Sequence, residues 1–508
     1  MKDLAVESGP GVGREAAVIT GAPRPPLTLG RKLLYGLGSM ATGINLRTSS
    51  VFLMLFYNQA MGVPAATVAA VIMIATMFDA VVDPLVGQFS DNLRSRWGRR
   101  HPLMYLSAIP IAVAFYLLWS PPEGLSPVFI GVYLLVCLLL LRFCDTLFEL
   151  PSVSLAPELT ADYAERTELI AMRRAFEMTG GYLMILAGYQ LFMRPAAGGS
   201  GGLQSSEGYS NLGLVGAGII FTAIVVSAIS THRFIPFLSL PPVRKMGAGP
   251  FVREAWQTLN NRAFLIIAAS GATYATGVGV TQSLQIYLNL YFWGLTQGQV
   301  AFMATIQIPA SLLGVVLTPL LVRRFGKKAT AIVFPTIALM ATLLSPTLRL
   351  AGILPGPESP LLLPYLSTEA VISQVLFVIG ISTIPSMVAD VVEDNELRTG
   401  RRAEGLVFSA DNMARKLVSS LGVLIAGLIL TWVAFPTHAK PGSVDPDTLE
   451  SLILWWMAAI TVFLGGSFVL VSFFPITKER HEENLRKLAA RATDHAHSGS
   501  VPTATNRA

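Results

Sequence analysis

The stretch Phe78-Asp79-Ala80-Val81-Val82-Asp83-Pro84 lies in an apolar block over 66–87 that is otherwise uncharged. The block has the roughly 20 residues that a helix needs to cross a hydrocarbon core about 30 Å thick. On such a helix Asp79 and Asp83 are i and i+4, so both carboxylates stack on one face with Cβ atoms about 6 Å apart. Ionised groups are too costly to face lipid, so they turn to the protein interior and mark function. Two carboxylates in a poorly solvated interior cannot both stay ionised alone, because repulsion and desolvation both raise a carboxyl pKa. They require a proton, a metal cation or a basic side chain. This stretch predicts an all-α membrane protein with an acidic pair that answers to positive charge.

The rest of the chain agrees with that reading. It has 508 residues, 52% hydrophobic and only 13% charged, far from the composition of a soluble domain. The net charge of +6 could suggest nucleic acid, but Lys and Arg fall in short loops between apolar blocks, which is a topology signal, so no nucleic-acid partner is expected. Cys137 and Cys144 share one apolar block; neither a disulfide framework nor a metal cluster is indicated. The first 26 residues are polar, contain Pro10, Pro23, Pro25 and Pro26, and lack the apolar core of a cleavable signal peptide.

Apolar blocks predict spans near 30–58, 66–87, 102–120, 127–151, 169–193 and 213–236, then near 263–291, 299–322, 329–348, 366–389, 405–434 and 449–474. Basic loops alternate with bare ones. Arg94, Arg96, Arg99 and Arg100, then Arg323, Arg324, Lys327 and Lys328, then Arg398, Arg401 and Arg402, and finally Lys478, Arg480, Arg486 and Lys487 fall on one side. The loops 59–65, 121–126 and 292–298 hold no Lys or Arg. Basic loops stay in the cytoplasm, so both termini are expected there, with about twelve helices crossing the membrane.

A repeat supports two bundles of six. Gly87 followed by Arg96-Trp97-Gly98-Arg99-Arg100 is matched by Gly314 followed by Arg324-Phe325-Gly326-Lys327-Lys328. The acids Glu158, Asp162 and Glu165 with Arg166 are echoed by Asp390, Glu393, Asp394 and Glu396 with Arg398. The expected order is a cytoplasmic tail 1–28, a six-helix bundle 29–236, a cytoplasmic linker 237–262 holding Arg244, Lys245, Arg253 and Arg262, a second bundle 263–475, and a tail 476–508. Rocking carriers have this arrangement, with the solute site between their halves near the midplane.

Other charges sit inside spans. Lys416, in Asn412-Met413-Ala414-Arg415-Lys416-Leu417, offers the acidic pair a tethered ammonium with which a mobile cation could compete; the alternative is a static ion pair or a wet vestibule. Arg142, Asp145 and Glu149 share one face of span four, ahead of Pro151, with Thr146 beside Asp145. Span five opens on Arg173, Arg174 and Glu177. Carboxylates and guanidinium groups in a wet cavity suit hydroxyl-rich solutes, although Arg173 and Glu177 could equally form a helix-end network, and Arg47 in span one is open to both readings. Asp91 with Arg96, Arg99 and Arg100 reads as a cytoplasmic gate or latch rather than a ligand site. The histidines lie at span ends or in loops and tails, without metal-ligand spacing, so no enzyme chemistry and no cofactor are expected.

These residues carry a resemblance. Phe78 to Gly87, continuing through Ser95-Arg96-Trp97-Gly98-Arg99-Arg100-His101-Pro102, resembles the glycoside-pentoside-hexuronide:cation symporter family, typified by the melibiose carrier, within the major facilitator superfamily. Lys32-Leu33-Leu34-Tyr35-Gly36, Glu149-Leu150-Pro151, Glu165-Arg166 to Arg174, and Ala389-Asp390-Val391-Val392-Glu393 extend the similarity from about Leu29 to Pro475. The resemblance implies that Asp79, Asp83 and Thr146 line the coupling-cation site with Lys416 beside it, and that Glu149 and Arg174 meet the substrate with Asp145 close by. Melibiose carriers hold the sugar with an Asp in span one, where Met40-Ala41-Thr42-Gly43-Ile44 has no acid, and stack a Trp where this chain has Val153. Galactoside specificity is therefore not carried over. Sodium-using members commonly place Asn before the second Asp; Val82 removes that oxygen and tilts the choice between H⁺ and Na⁺ toward H⁺.

The expected protein is a monomeric secondary transporter of a bacterial inner membrane, symporting a small polar solute, a sugar or glycoside, with H⁺ or Na⁺. A lysolipid or amphiphile carrier of the same fold, and a non-transporting membrane sensor, are the rival readings.

Overall fold

Backbone that crosses lipid has no water to bond, so an apolar chain of this kind must satisfy its N–H and C=O groups within helices. The computed structural model describes residues 25–160, 162–194, 202–238, 261–399, 404–476 and a few positions between 480 and 487, and among them no strand occurs. Arg244, Lys245, Arg253, Arg401, Arg402, Lys478, the side chain of Arg398 and most of both tails and the linker lie outside the described residues.

The helices are α1 (Leu29–Leu37), α2 (Ser39–Thr48), α3 (Ala65–Asn92), α4 (His101–Trp119), α5 (Pro127–Leu159), α6 (Tyr163–Ala187), α7 (Ser206–His232), α8 (Arg262–Tyr287), α9 (Gln297–Phe325), α10 (Lys327–Leu350), α11 (Leu362–Thr399), α12 (Glu404–Trp432), α13 (Pro446–Ile460) and α14 (Gly466–Ser472). Short π-helical turns prolong α2, α6, α8 and α13. Among the described residues 10 helices are long and apolar enough to cross a membrane. The remaining two long runs, α1–α2 with its π turns and α6, coincide with the expected first and fifth spans, whose hydropathy is broken by Arg31, Lys32 and Arg47 and by Arg173, Arg174 and Glu177. Ten of the expected spans thus have a helix apolar enough to cross a membrane, and the other two ranges are helical without meeting that measure. Some run further than apolarity alone suggests: α5 continues through Pro151 and Pro157 to Leu159. That end of α5 stays packed on protein, with Ser152, Leu155, Ala156 and Leu159 buried.

The chain divides into two compact units, one of Met1–Lys245, Gln282–Phe302 and Val423–Leu452, the other of Met246–Thr281, Met303–Gly422 and Ile453–Ala508. In lipid, close backbone approach at small residues replaces the hydrophobic drive for helix packing. The first unit uses it at the α2–α6 crossing, where a Cβ on Gly43 would stand 1.9 Å from the Glu177 carbonyl oxygen and one on Gly181 would stand 2.7 Å from the Gly43 oxygen. In the second unit Gly422 meets the Thr276 carbonyl in the same way, and Ile267, Met387, Val391, Val407 and Phe474 are part of a buried apolar cluster.

The sequence repeat has a structural counterpart inside each unit. Gly98 and Gly326 hold φ of 73° and 79°, the left-handed backbone that glycine adopts without a steric penalty. The basic residues after each turn reach back to an acid. Arg99 and Arg100 bond Glu158 at 2.7 and 3.2 Å, and Arg100 also meets Asp91 at 2.6 Å. Lys327 bonds Asp390 at 2.6 Å. Arg96 instead lies over the Trp97 ring, 5.5 Å from its centroid.

At the other end of the first unit a buried polar plug ties the end of the first helical run to segments from later in the chain. Gln59 donates to Asn58 Oδ1 at 2.7 Å and to the Pro436 carbonyl at 3.1 Å, and its own oxygen accepts from the Ala439 amide at 2.9 Å. Tyr287 donates to Asn58 at 2.9 Å and Tyr291 to the Ala439 carbonyl at 2.9 Å, joined there by Gln204. Gln59→Ala strips Ala439 N–H of its acceptor, a loss of about 1–3 kcal/mol for a buried group. Hydrogen–deuterium exchange at Ala439 should accelerate by one to two orders of magnitude; unchanged exchange would show that the plug does not depend on Gln59.

Candidate functional site

Four helices of the first unit, α2, α3, α5 and α6, position the charges the sequence singled out. Helices α3 and α5 run side by side in matched register. Arg142 Nη1 donates to Asp79 at 3.2 Å, and one turn on Thr146 Oγ1 donates to Asp83 at 2.9 Å. Asp79 is buried at 3% exposure. Pro84, inside α3, cannot donate a backbone hydrogen bond, which leaves the carbonyl one turn earlier without its usual partner beside this pair. Oxygens of Asp79, Asp83 and Thr146 make a hard-cation donor set, and the guanidinium on Asp79 occupies the place a cation would compete for.

The next rungs of α5 face α2 and α6. Asp145 accepts from Asn45 Nδ2 at 3.3 Å, while its other oxygen is buried without a partner. Glu149 is held by both oxygens at 2.9 Å from Arg173 Nη2 and takes a further bond from Thr42 at 3.0 Å. Arg173 also donates to Ser152 and lies over the Tyr35 ring, whose hydroxyl bonds the Ser152 carbonyl at 2.6 Å. Buried on every side but one, Glu149 presents a fixed carboxylate with 28% of its side chain exposed.

Asp79, Asp83 and Thr146 thus come together, with Asp145 next to Thr146 in sequence and Glu149 one turn further along α5. Arg174 is not on Glu149: it is 72% exposed and pairs with Glu177 at 2.8 Å. Lys416 lies on α12, in the second unit, where its neighbour Arg415 is held by Asp411 at 2.7 Å. The sequence reading left three partners unnamed: Arg142 for Asp79, Arg173 for Glu149, and Glu158 for the latch. Arg142 and Arg173 each carried a signal. Arg142 and Glu149 were already on the α5 face, Ser152 follows Glu149 by one turn, and Arg173 against Arg174 is a difference of 100° around α6 that unclear helix bounds cannot resolve.

Comparison with known proteins bears on what this arrangement serves. The family model described as MFS/sugar transport protein matches residues 34–478. An uncharacterised symporter of Synechocystis sp. is 28% identical over 530 aligned positions, covering 91% of this chain and 96% of its own. The isoprimeverose transporter of Lactiplantibacillus pentosus is 24% identical, covering 87% and 88%. Among solved structures, a bacterial homologue of the human lysosomal transporter Spinster, inward-facing and occupied, superposes with a TM-score of 0.60 at 13% identity, covering 93% of this chain and 99% of that one, which establishes the fold. With no strand among the described residues, a family match over most of its length and transport proteins aligned over most of theirs, the chain belongs to the MFS/sugar transport protein family of the major facilitator superfamily and is a transporter, not an enzyme.

Proposed function

We propose that the protein symports a sugar or glycoside with H⁺ or Na⁺ across a bacterial inner membrane, as a monomer of two six-helix halves with both termini in the cytoplasm. The observation that carries this reading is the α5 ladder, on which Arg142 and Thr146 serve the acidic pair of α3 while Asp145 and Glu149 face the neighbouring helices, within two turns of one rigid element. Asp79, Asp83 and Thr146 take the cation, Glu149, Arg174 and Asp145 meet the solute, and Lys416 is the coupling residue. Arg173 acts through Glu149, fixing its carboxylate in one orientation. The Asp91, Arg99, Arg100 and Glu158 cluster, with Arg96 beside it, forms the cytoplasmic gate.

A cation at the acidic pair displaces Arg142 from Asp79, and the released guanidinium lies one turn from Asp145, next to the solute residues. Loaded or fully empty carriers can then change state, whereas the cation alone leaves the charge on α5 unbalanced. The coupling ion supplies positive charge only; the protein makes and breaks no covalent bond.

A thermal-shift screen of the purified protein against methyl glycosides, methyl uronides and lysolipids, with and without sodium, tests the cargo class. A sugar at 100 times its Kd should add about 2.7 kcal/mol of stability; stabilisation by lysolipids alone overturns the sugar reading. In proteoliposomes Asp83→Asn should abolish uphill accumulation of the stabilising sugar while permitting its exchange down a gradient, and robust cation-driven accumulation by this variant refutes the cation site. Arg173→Gln leaves Glu149 without its bidentate partner and should destabilise the fold by about 3 kcal/mol, as removal of one member of a buried pair does. A variant as stable as the parent in a denaturation profile would show that Glu149 needs no fixing.

A further inference from the structure

Arg47 has no role in the arrangement above. In the first helical run it lies about 27 Å along from Leu29 and about 20 Å short of Ala60, at 1.5 Å per residue. That places it well inside the run, away from both of its ends. A guanidinium at that depth needs an anion or water. Three arginines further along the first unit each have a carboxylate: Arg142 has Asp79, Arg173 has Glu149 and Arg174 has Glu177. Among the described residues Arg47 has none within ion-pair distance.

Its place is nevertheless built. The stem lies on Gly181, where a Cβ would come 2.5 Å from Arg47 Cγ, and the guanidinium sits over the Tyr182 ring, 5.1 Å from its centroid. A ring face attracts the cation by about 0.5–2 kcal/mol but does not neutralise it. Arg174, Met178 and Tyr182 are i, i+4 and i+8 on α6, so they fall on one edge of that helix. Arg174 and Met178 are exposed there. Arg47 is therefore presented along the same edge as Arg174, about 12 Å further along the helix axis.

We propose that Arg47, seated on Gly181 and Tyr182, is an anion-binding subsite of the solute cavity that takes a carboxylate or sulfonate carried by the sugar. The planar guanidinium fork matches the oxygens of either group two at a time. Arg174, already paired with Glu177, meets hydroxyls, and Arg47 meets the acid. The subsite rests on the reading of the chain as a sugar symporter and deepens it.

Binding of matched methyl glycosides and uronides, in the gluco and galacto series, to purified protein by calorimetry tests the subsite. Each pair differs only in a carboxylate for a hydroxymethyl group. The parent should bind one uronide more tightly than its neutral partner. Arg47→Gln should weaken that uronide at least tenfold and leave the neutral partner unchanged, and Arg47→Lys, which keeps the charge without the fork, should fall between them. An equal loss for both members of the pair, no loss for either, or a parent that prefers every neutral partner overturns the subsite. A neutral preference would leave symport standing, whereas failure of every sugar to bind would remove both. Unfolding temperatures of Arg47→Gln and Arg47→Lys close to the parent's separate loss of the subsite from loss of the fold.

Discussion

The constraint on which the rest depends is the cost of unbalanced charge in a poorly hydrated interior. Four carboxylates of α3 and α5 lie between lipid-spanning helices, and each has a donor or cation from a neighbouring element: Arg142 on Asp79, Thr146 on Asp83, Asn45 on Asp145, and Arg173 with Thr42 on Glu149. Replacing such a network with apolar residues would satisfy folding equally well or better. Its persistence inside a membrane domain is a reason to look for function rather than stability.

Precision comes from the glycines, not from the charges. The α2–α6 contact at Gly43, Gly180 and Gly181 brings two backbones together closely enough that any side chain would collide. That approach sets where Thr42 and Asn45 point, and it sets where Arg173 and Arg47 can reach. A sugar site demands positions held to a fraction of an ångström. At the α2–α6 crossing the two helices are held by backbone contact, which has no rotamer freedom to lose.

Much of this was legible in the sequence because lipid simplifies the physics. Apolar block length matches the 10 helices that are apolar enough to cross a membrane, the acids Asp79 and Asp83 at i and i+4 share a face, and the repeated Arg-aromatic-Gly-basic-basic order corresponds to two turns with left-handed glycines and two basic-to-acid contacts. What stayed illegible depends on rotation about helix axes. Spacing places Arg142 on the α5 face of Glu149 but does not say that it crosses to α3. Adjacent Arg173 and Arg174 differ only in which way each turns, one into a buried pair and the other to an exposed edge. The long extension of α5 past Pro151 was also hidden, since apolarity stops before the helix does.

A ladder on one helix has a consequence for transport that separate sites would lack. On the proposed reading the ion and solute groups on α5 are joined by one rigid backbone, so a rearrangement that improves one rung is felt by the next, and coupling free energy between two ligands is reciprocal. If a cation at Asp79 makes the solute rungs more receptive, the solute must tighten the cation by the same factor. A static ion-pair scaffold has no reason to put the guanidinium of Arg142 on an acid that a mobile cation could claim, with a second acid, Asp145, one turn away and carrying an oxygen that no described residue bonds. On the proposed reading, a guanidinium released from Asp79 has that acceptor one turn away, so its release need not leave it without an anion.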